Sequence, residues 1–149
     1  MSVKSKISVA TIIEHEGRFL MVEERTSNGK YINQPSGGIE FGEIPQDAAV
    51  REVLEETKHS VTLDGFVGAY QLFKQDSKTS YTRLCFHGHS DFLNSYRPND
   101  RDIVRVLWMT YEDIASSINH HKNPIVMQSL NDYINRQSMP LNVVRTLTM

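Results

Sequence analysis

Residues 37–57 read GGIEFGEIPQDAAVREVLEET. Pro45 suits the first position of a helix, because its missing N–H would have had no partner there. The spacing predicts a helix from Pro45 to about Thr57, with Val50, Val53 and Leu54 on its core face. With Glu52 as origin and about 100° per residue, Glu55 falls near −60° and Glu56 near +40°. The three carboxylates therefore share one face. Ala48 sits one turn before Glu52 on that face and leaves space for something bound there. Three acids on one stripe repel, at roughly a few tenths of a kcal/mol per adjacent pair. Arg51, four residues before Glu55, relieves part of this. A hard divalent cation relieves more, and carboxylates plus substrate phosphate oxygens are its usual ligands. On the helix alone, a solvated acidic face explains the pattern equally well.

The residues before the helix shift that balance. Ser36-Gly37-Gly38 is a flexible backbone stretch, and the two glycines let the chain approach a ligand closely. Glu40 and Glu43 add two acids, with Gly42 between them. From Gly37 onward the fixed residues are Gly37, Glu43, Arg51, Glu52, Glu55 and Glu56. At about 6% usage per charged type and 7% for glycine, they match by chance on the order of once in 10⁵ chains of this length.

Further out, residues 7–23 read as a β-hairpin turning at His15-Glu16-Gly17. Residues 26–30 are a polar loop with Asn28-Gly29, and residues 31–34 a short strand ended by Pro35. Residues 66–73, 82–86 and 103–109 read as strands, and 111–118 and 124–136 as helices. This order predicts an α/β (α+β) class, with a mixed sheet sandwiched between helices. No repeat or linker divides it, so residues 1–149 are expected to form one domain.

The whole-chain balance excludes several functions. Sixteen Lys and Arg against eighteen Asp and Glu give a net charge of −2. That argues against a nucleic-acid binder, which must neutralise phosphates, and against a polybasic membrane anchor. No apolar run is long enough to span a bilayer. Nor does the start of the sequence read as a secretory leader. The single cysteine, Cys85, excludes an internal disulfide framework and a cysteine-rich zinc site. The reducing cytoplasm is the expected compartment. Between residues 37 and 57, by contrast, six acids face one base, Arg51. The partner that this charge implies is a metal cation.

The pattern formed by Gly37, Glu43, Arg51, Glu52, Glu55 and Glu56 resembles the Nudix box of the Nudix hydrolases. Two positions depart from it. Where the family places a glycine and an aliphatic residue, this chain has Lys58 and His59, and where glycine is frequent before Gly37 it has Ser36. The missing glycine touches a helix cap, where a left-handed lysine costs roughly 1 kcal/mol.

The resemblance implies an α/β/α sandwich and hydrolysis of a pyrophosphate link with Mg²⁺ or Mn²⁺. It implies metal ligation by Glu52, Glu55, Glu56 and the Gly37 carbonyl. Arg51 would orient Glu52, and Glu43 would support that network from behind. For the general base it offers a glutamate of the cluster or an acid before the 103–109 strand, Asp100 or, as the chosen candidate, Asp102. The run Asn33-Gln34-Pro35-Ser36-Gly37 is similar to the NudJ-type phosphatase branch, which acts on nucleoside di- and triphosphates and pyrophosphorylated thiamine precursors. Arg83, Arg105, Tyr70 and Gln34 are the candidate substrate contacts. The partner is then a small-molecule diphosphate, and the protein a monomer or homodimer.

Other residues carry plainer readings. His87 and His89 face one side of a strand without a third ligand, and His120 and His121 read as solvated. Tyr70, Phe73 and Tyr81 could stack on a ring or belong to the core. Arg83 and Arg105 could clamp phosphate or form surface ion pairs. Trp108 and Cys85 read as core. Three rivals remain: a nucleoside-diphosphate-sugar pyrophosphatase such as one acting on ADP-ribose, a non-catalytic binding domain, and an isomerase needing a catalytic cysteine.

Overall fold

The computed structural model describes residues 4–90 and 102–149. Seven strands and three helices follow in the order β1 (Lys4–His15), β2 (Arg18–Thr26), β3 (Gly29–Asn33), β4 (Ser36–Gly38), α1 (Pro45–Thr57), β5 (Val61–Lys74), β6 (Thr79–Ser90), β7 (Ile103–Thr110), α2 (Tyr111–Ser116) and α3 (Ile125–Ile134). Asp100 lies outside the described residues.

The expected hairpin forms, with Glu16 and Gly17 at φ 49° and 75° in the turn. Its strands pair only at Glu14↔Phe19 and His15↔Arg18 before diverging. Past that point β1 runs parallel to β6, from Lys4↔Thr79 to Ile13↔Gly88. β5 closes the far edge, antiparallel to β6. On the other side β2 carries β3 and β7, both antiparallel. The result is a mixed seven-stranded sheet ordered β3-β2-β1-β6-β5, with β4 on β1 and β7 on β2.

Alternation along β1 assigns the two faces, since successive side chains on a strand point oppositely. Val9 packs with Ala48 and Ala49 of α1, and Ile13 with Val53. Ile12 packs with Ile114, Val126 and Leu130 of α2 and α3. Helices thus cover both faces, as the sandwich reading requires.

Four local readings change. Residues 36–38 are not a flexible stretch but strand β4, held against β1 through Ser8↔Gly38, Val9↔Gly37 and Ala10↔Ser36. Ala48 does not leave room for a ligand; it is fully buried against the sheet. Leu54, expected in the core, is 48% exposed. His121, expected in solvent, is buried: residue 121 bridges to Ile32, and its ring nitrogen Nε2 lies 2.7 Å from the Ile114 carbonyl. The helix errors share one cause. The buried stripe of α1 runs through Ala49, Val53 and Glu56, so the carboxylate side itself turns inward. With Ala49 as origin, Glu56 lies about 20° off the stripe and Leu54 about 140° off.

The helix ends follow from sequence. Pro45 opens α1, and Lys58 closes it in the left-handed conformation (φ 62°), its N–H reaching the Leu54 carbonyl. His59 follows with no exposed surface, and its ring meets Trp108 edge-on at 5.6 Å. The C-terminal segment straps this layer down. Gln46 Nε2 donates to the carbonyls of Leu141 and Val144, and Met139 exchanges two 2.8 Å backbone bonds with Phe66.

Candidate active site

The inward turn of α1 sets its acids against β4. Glu56 is 3% exposed, and its Oε1 accepts the Ser36 N–H at 2.7 Å. A carboxylate is buried this deeply only where donors compensate the lost water. Glu52 lies over Gly37 so closely that a Cβ on residue 37 would fall within its carboxylate group. Gly37 is therefore required for space. Glu55 is the open member, with half of its side chain exposed.

Arg51 ties these acids together. Its Nε and Nη2 grip both oxygens of Glu43 at 2.8 and 2.9 Å. Nη1 donates to Glu52 at 2.8 Å and to Glu55 at 3.2 Å, and Nη2 also reaches the Gly38 carbonyl at 2.9 Å. The guanidinium beside Glu43 holds that carboxyl below its usual range, with help from the Glu40 N–H. Reciprocally, the Glu43 and Glu52 carboxylates keep the Arg51 proton bound more firmly than usual, against burial.

Among the described residues, no three His, Cys, Asp or Glu side chains converge into a closed cage. Glu52 and Glu55 are instead drawn to Arg51. The donors nevertheless suit a hard cation: carboxylate oxygens line one helix face, and a glycine keeps the space under Glu52 clear. Mg²⁺ takes few protein carboxylates and completes its shell with water and phosphate, so a full cage is not its usual arrangement.

A second set of polar residues adjoins this face and was only partly visible in sequence. Asn33 Nδ2 donates to Ser36 Oγ at 3.1 Å and to Glu24 Oε1 at 3.2 Å. Its Oδ1 accepts from Arg83 Nη1 at 2.9 Å. Lys122 Nζ stands 3.3 Å from Glu24 Oε2. Arg83, Asn33, Ser36 and Glu56 thus form one hydrogen-bonded line from β6 to α1. Glu24 stood out in sequence only through the Glu23-Glu24 strand end, which added to the NudJ-type resemblance without giving it a role.

The other candidates lie elsewhere. Gln34 is 1% exposed and donates to the Val126 carbonyl at 2.9 Å, bracing α3. Tyr70 does the same through a 2.6 Å bond to Asp132, and burial raises its phenol. Arg105 forms an exposed pair with Glu23 at 2.9 Å. These three are not brought to the α1 acids. Asp102 is exposed before β7, where its carbonyl accepts the Arg25 N–H at 2.7 Å. His87 Nε2 lies 2.7 Å from Ser138 Oγ, and His89 Nδ1 2.8 Å from Asp64. Cys85 is fully buried, with its thiol pushed up to about 12 by burial.

A family model described as the NUDIX domain matches residues 4–129. The chain is 35% identical over 142 residues to "Phosphatase NudJ" of Escherichia coli (strain K12), which covers 95% of this chain and 91% of that one. The protein of that name from Shigella flexneri matches equally. Among solved structures, "NUDIX hydrolase from Nitrosomonas europaea" superposes with a TM-score of 0.90 at 34% identity, covering 97% of this chain and 98% of that one. A MutT NUDIX hydrolase from Burkholderia pseudomallei gives 0.73 at 15% identity over 87% and 98%, a likeness of fold alone. The match to the family model runs from β1 into α3 and takes in the whole acid-bearing face; this chain belongs to the Nudix family of hydrolases.

Proposed function

We propose that this protein is a divalent-metal-dependent pyrophosphohydrolase. It cleaves phosphoanhydride bonds in nucleoside di- or triphosphates, or in related diphosphates such as pyrophosphorylated thiamine precursors. The observation that carries this reading is the inward carboxylate face of α1, with Glu52 over Gly37 and Glu56 fixed by Ser36. Glu52, Glu55, Glu56 and the Gly37 carbonyl would hold Mg²⁺ or Mn²⁺. When bound, that ion neutralises the diphosphate and brings water toward hydroxide at neutral pH.

The remaining work falls to the chain. Arg51 aims Glu52 and Glu55, and Glu43 holds Arg51 in place. The Ser36 N–H, donating to Oε1, helps to keep Glu56 in position. We assign the proton of the attacking water to a carboxylate of this face in preference to Asp102, whose backbone is tied to Arg25 on the β2 side. The isomerase reading loses support, because a fully buried Cys85 with a raised pKa is a poor nucleophile. The one base, Arg51, sits among intact acids, which favours turnover over a binding-only role.

The test is a panel of nucleoside di- and triphosphates, ADP-ribose, dinucleoside polyphosphates and thiamine pyrophosphate, assayed with Mg²⁺, with Mn²⁺ and with a chelator. Release of phosphate or pyrophosphate from at least one compound, abolished by the chelator, is expected. Metal-independent release, or none from any compound, contradicts the proposal.

A further inference from the structure

Beside the hydrogen-bonded relay of Arg83, Asn33, Ser36 and Glu56 lies a cavity of about 480 Å³. Arg83 forms part of its wall, with Lys74, Lys122, Tyr81 and Leu72. None of the described residues on that wall carries a carboxylate. Lys6 adds a further cation, its Nζ 5.9 Å from the Tyr81 ring centre. The neighbouring α1 face is acidic, so the two surfaces have opposite sign.

Arg83 is the unusual member. It is 7% exposed, yet among the described residues it makes one hydrogen bond, Nη1 to Asn33, and no ion pair. A guanidinium carries five N–H donors in a rigid fork. A buried charge left this sparsely partnered is costly unless something else meets it. Burial accordingly pulls Arg83 below the ordinary guanidinium range, although Cys85, Glu24 and Glu56 oppose this. The fork matches the oxygens of a phosphoryl group, which a lysine ammonium meets only as a point charge.

Position relates the cavity to the acids. Gly38, Ser8 and Arg83 are register neighbours on β4, β1 and β6. Two strand spacings separate the first from the last, about 10 Å. Arg83 and Ser8 face the α3 side of the sheet, whereas Val9, Gly37 and the Glu52 above it mark the α1 side, so a polyphosphate chain reaches Arg83 by passing around β4 along the line of Ser36 and Asn33. We propose that the cavity is an anion site, in which Arg83 reads a phosphoryl group of the substrate beyond the link being cut. Only the identity of the anion as part of the substrate rests on the pyrophosphohydrolase reading. The relay through Asn33 and Ser36 connects that contact to the backbone that fixes Glu56.

The experiment is calorimetric titration of inorganic pyrophosphate into the chelator-treated protein, comparing wild type, Arg83→Lys and Arg83→Gln. Binding about tenfold weaker is expected in Arg83→Lys, and loss in Arg83→Gln. Should Arg83→Gln not fold, Lys74→Glu reverses a charge on the exposed rim without touching the relay, and weaker binding is expected there too. In turnover, Arg83→Lys should raise KM about tenfold and change kcat much less, a split that a merely structural residue would not produce. Equal affinity in wild type and variants, or no binding to folded wild type, overturns the anion site. Arg83-dependent binding without hydrolysis of any compound would leave the anion site standing and remove the activity. Hydrolysis with unchanged KM in Arg83→Lys would leave the activity standing and overturn the assignment of that anion to the substrate.

Discussion

Two arginines, Arg51 on α1 and Arg83 on β6, meet opposite conditions. Arg51 is about a quarter exposed, at 23% of its side chain, and engages Glu43, Glu52, Glu55 and the Gly38 carbonyl. Arg83 is buried and holds one amide oxygen. The difference separates two uses of one side chain. Arg51 has its charge answered by the protein and so serves to aim carboxylates. Arg83 has its charge unanswered by hydrogen-bonded acids and so is ready for an anion from outside.

Replacing each with lysine sharpens the contrast. Arg51→Lys keeps the charge but cannot grip Glu43 with two donors while reaching Glu52 and Glu55. Activity should fall about 10–100-fold, in kcat more than KM, with the fold intact by circular dichroism. Activity equal to wild type would mean that the acids aim themselves. The same variant also tests acid stability. Glu43 is held below its usual pKa by Arg51, so its contribution is present above the unfolded pKa and lost as pH falls through the folded one. The stability difference between wild type and Arg51→Lys, measured by denaturant unfolding at a series of pH values, should therefore shrink as pH falls.

His59 repeats the buried condition of Arg83 in a group that can discharge. Burial lowers its pKa, opposed by the Thr57 carbonyl that accepts from Nδ1 at 3.0 Å. Stability linked to it is complete above the unfolded value near 6.5 and is lost as pH falls below that toward the folded value. The melting temperature of wild type should decline from pH 7 to pH 5.5, and less steeply in His59→Leu. Parallel slopes would remove His59 from the account. The smallest effect belongs to the helix end, far from either arginine's chemistry. Lys58→Gly relieves the left-handed lysine and should stabilise by about 1 kcal/mol, or about 2–4 °C in melting temperature, without changing activity.

The same contrast explains what the sequence made legible. Arg51 and its acids lie within 14 residues on one helix and its approach, from Glu43 to Glu56, so a helical period was enough to group them. Arg83, Asn33 and Glu24 come from three strands whose adjacency depends on the parallel pairing of β1 with β6, and no local pattern encodes that. Ala48 and Leu54 were misplaced because burial was assigned from hydrophobicity, whereas the buried stripe accepts Glu56, whose carboxylate takes up the Ser36 N–H. The capping lysine was readable because left-handed geometry is a local property. His121 was not, because the sheet contact that buries it spans 89 residues from Ile32.

The central claim is that the inward acids of α1 carry a metal-dependent reaction. Phosphate or pyrophosphate release in Mg²⁺ titrations of wild type, Glu55→Gln and Glu56→Gln tests it most directly. Glutamine keeps the size of each side chain, and in Glu56→Gln an oxygen remains to accept the Ser36 N–H. Folded variants with at least about 10²-fold lower metal-dependent turnover are the predicted result. Turnover equal to wild type in both would contradict the claim.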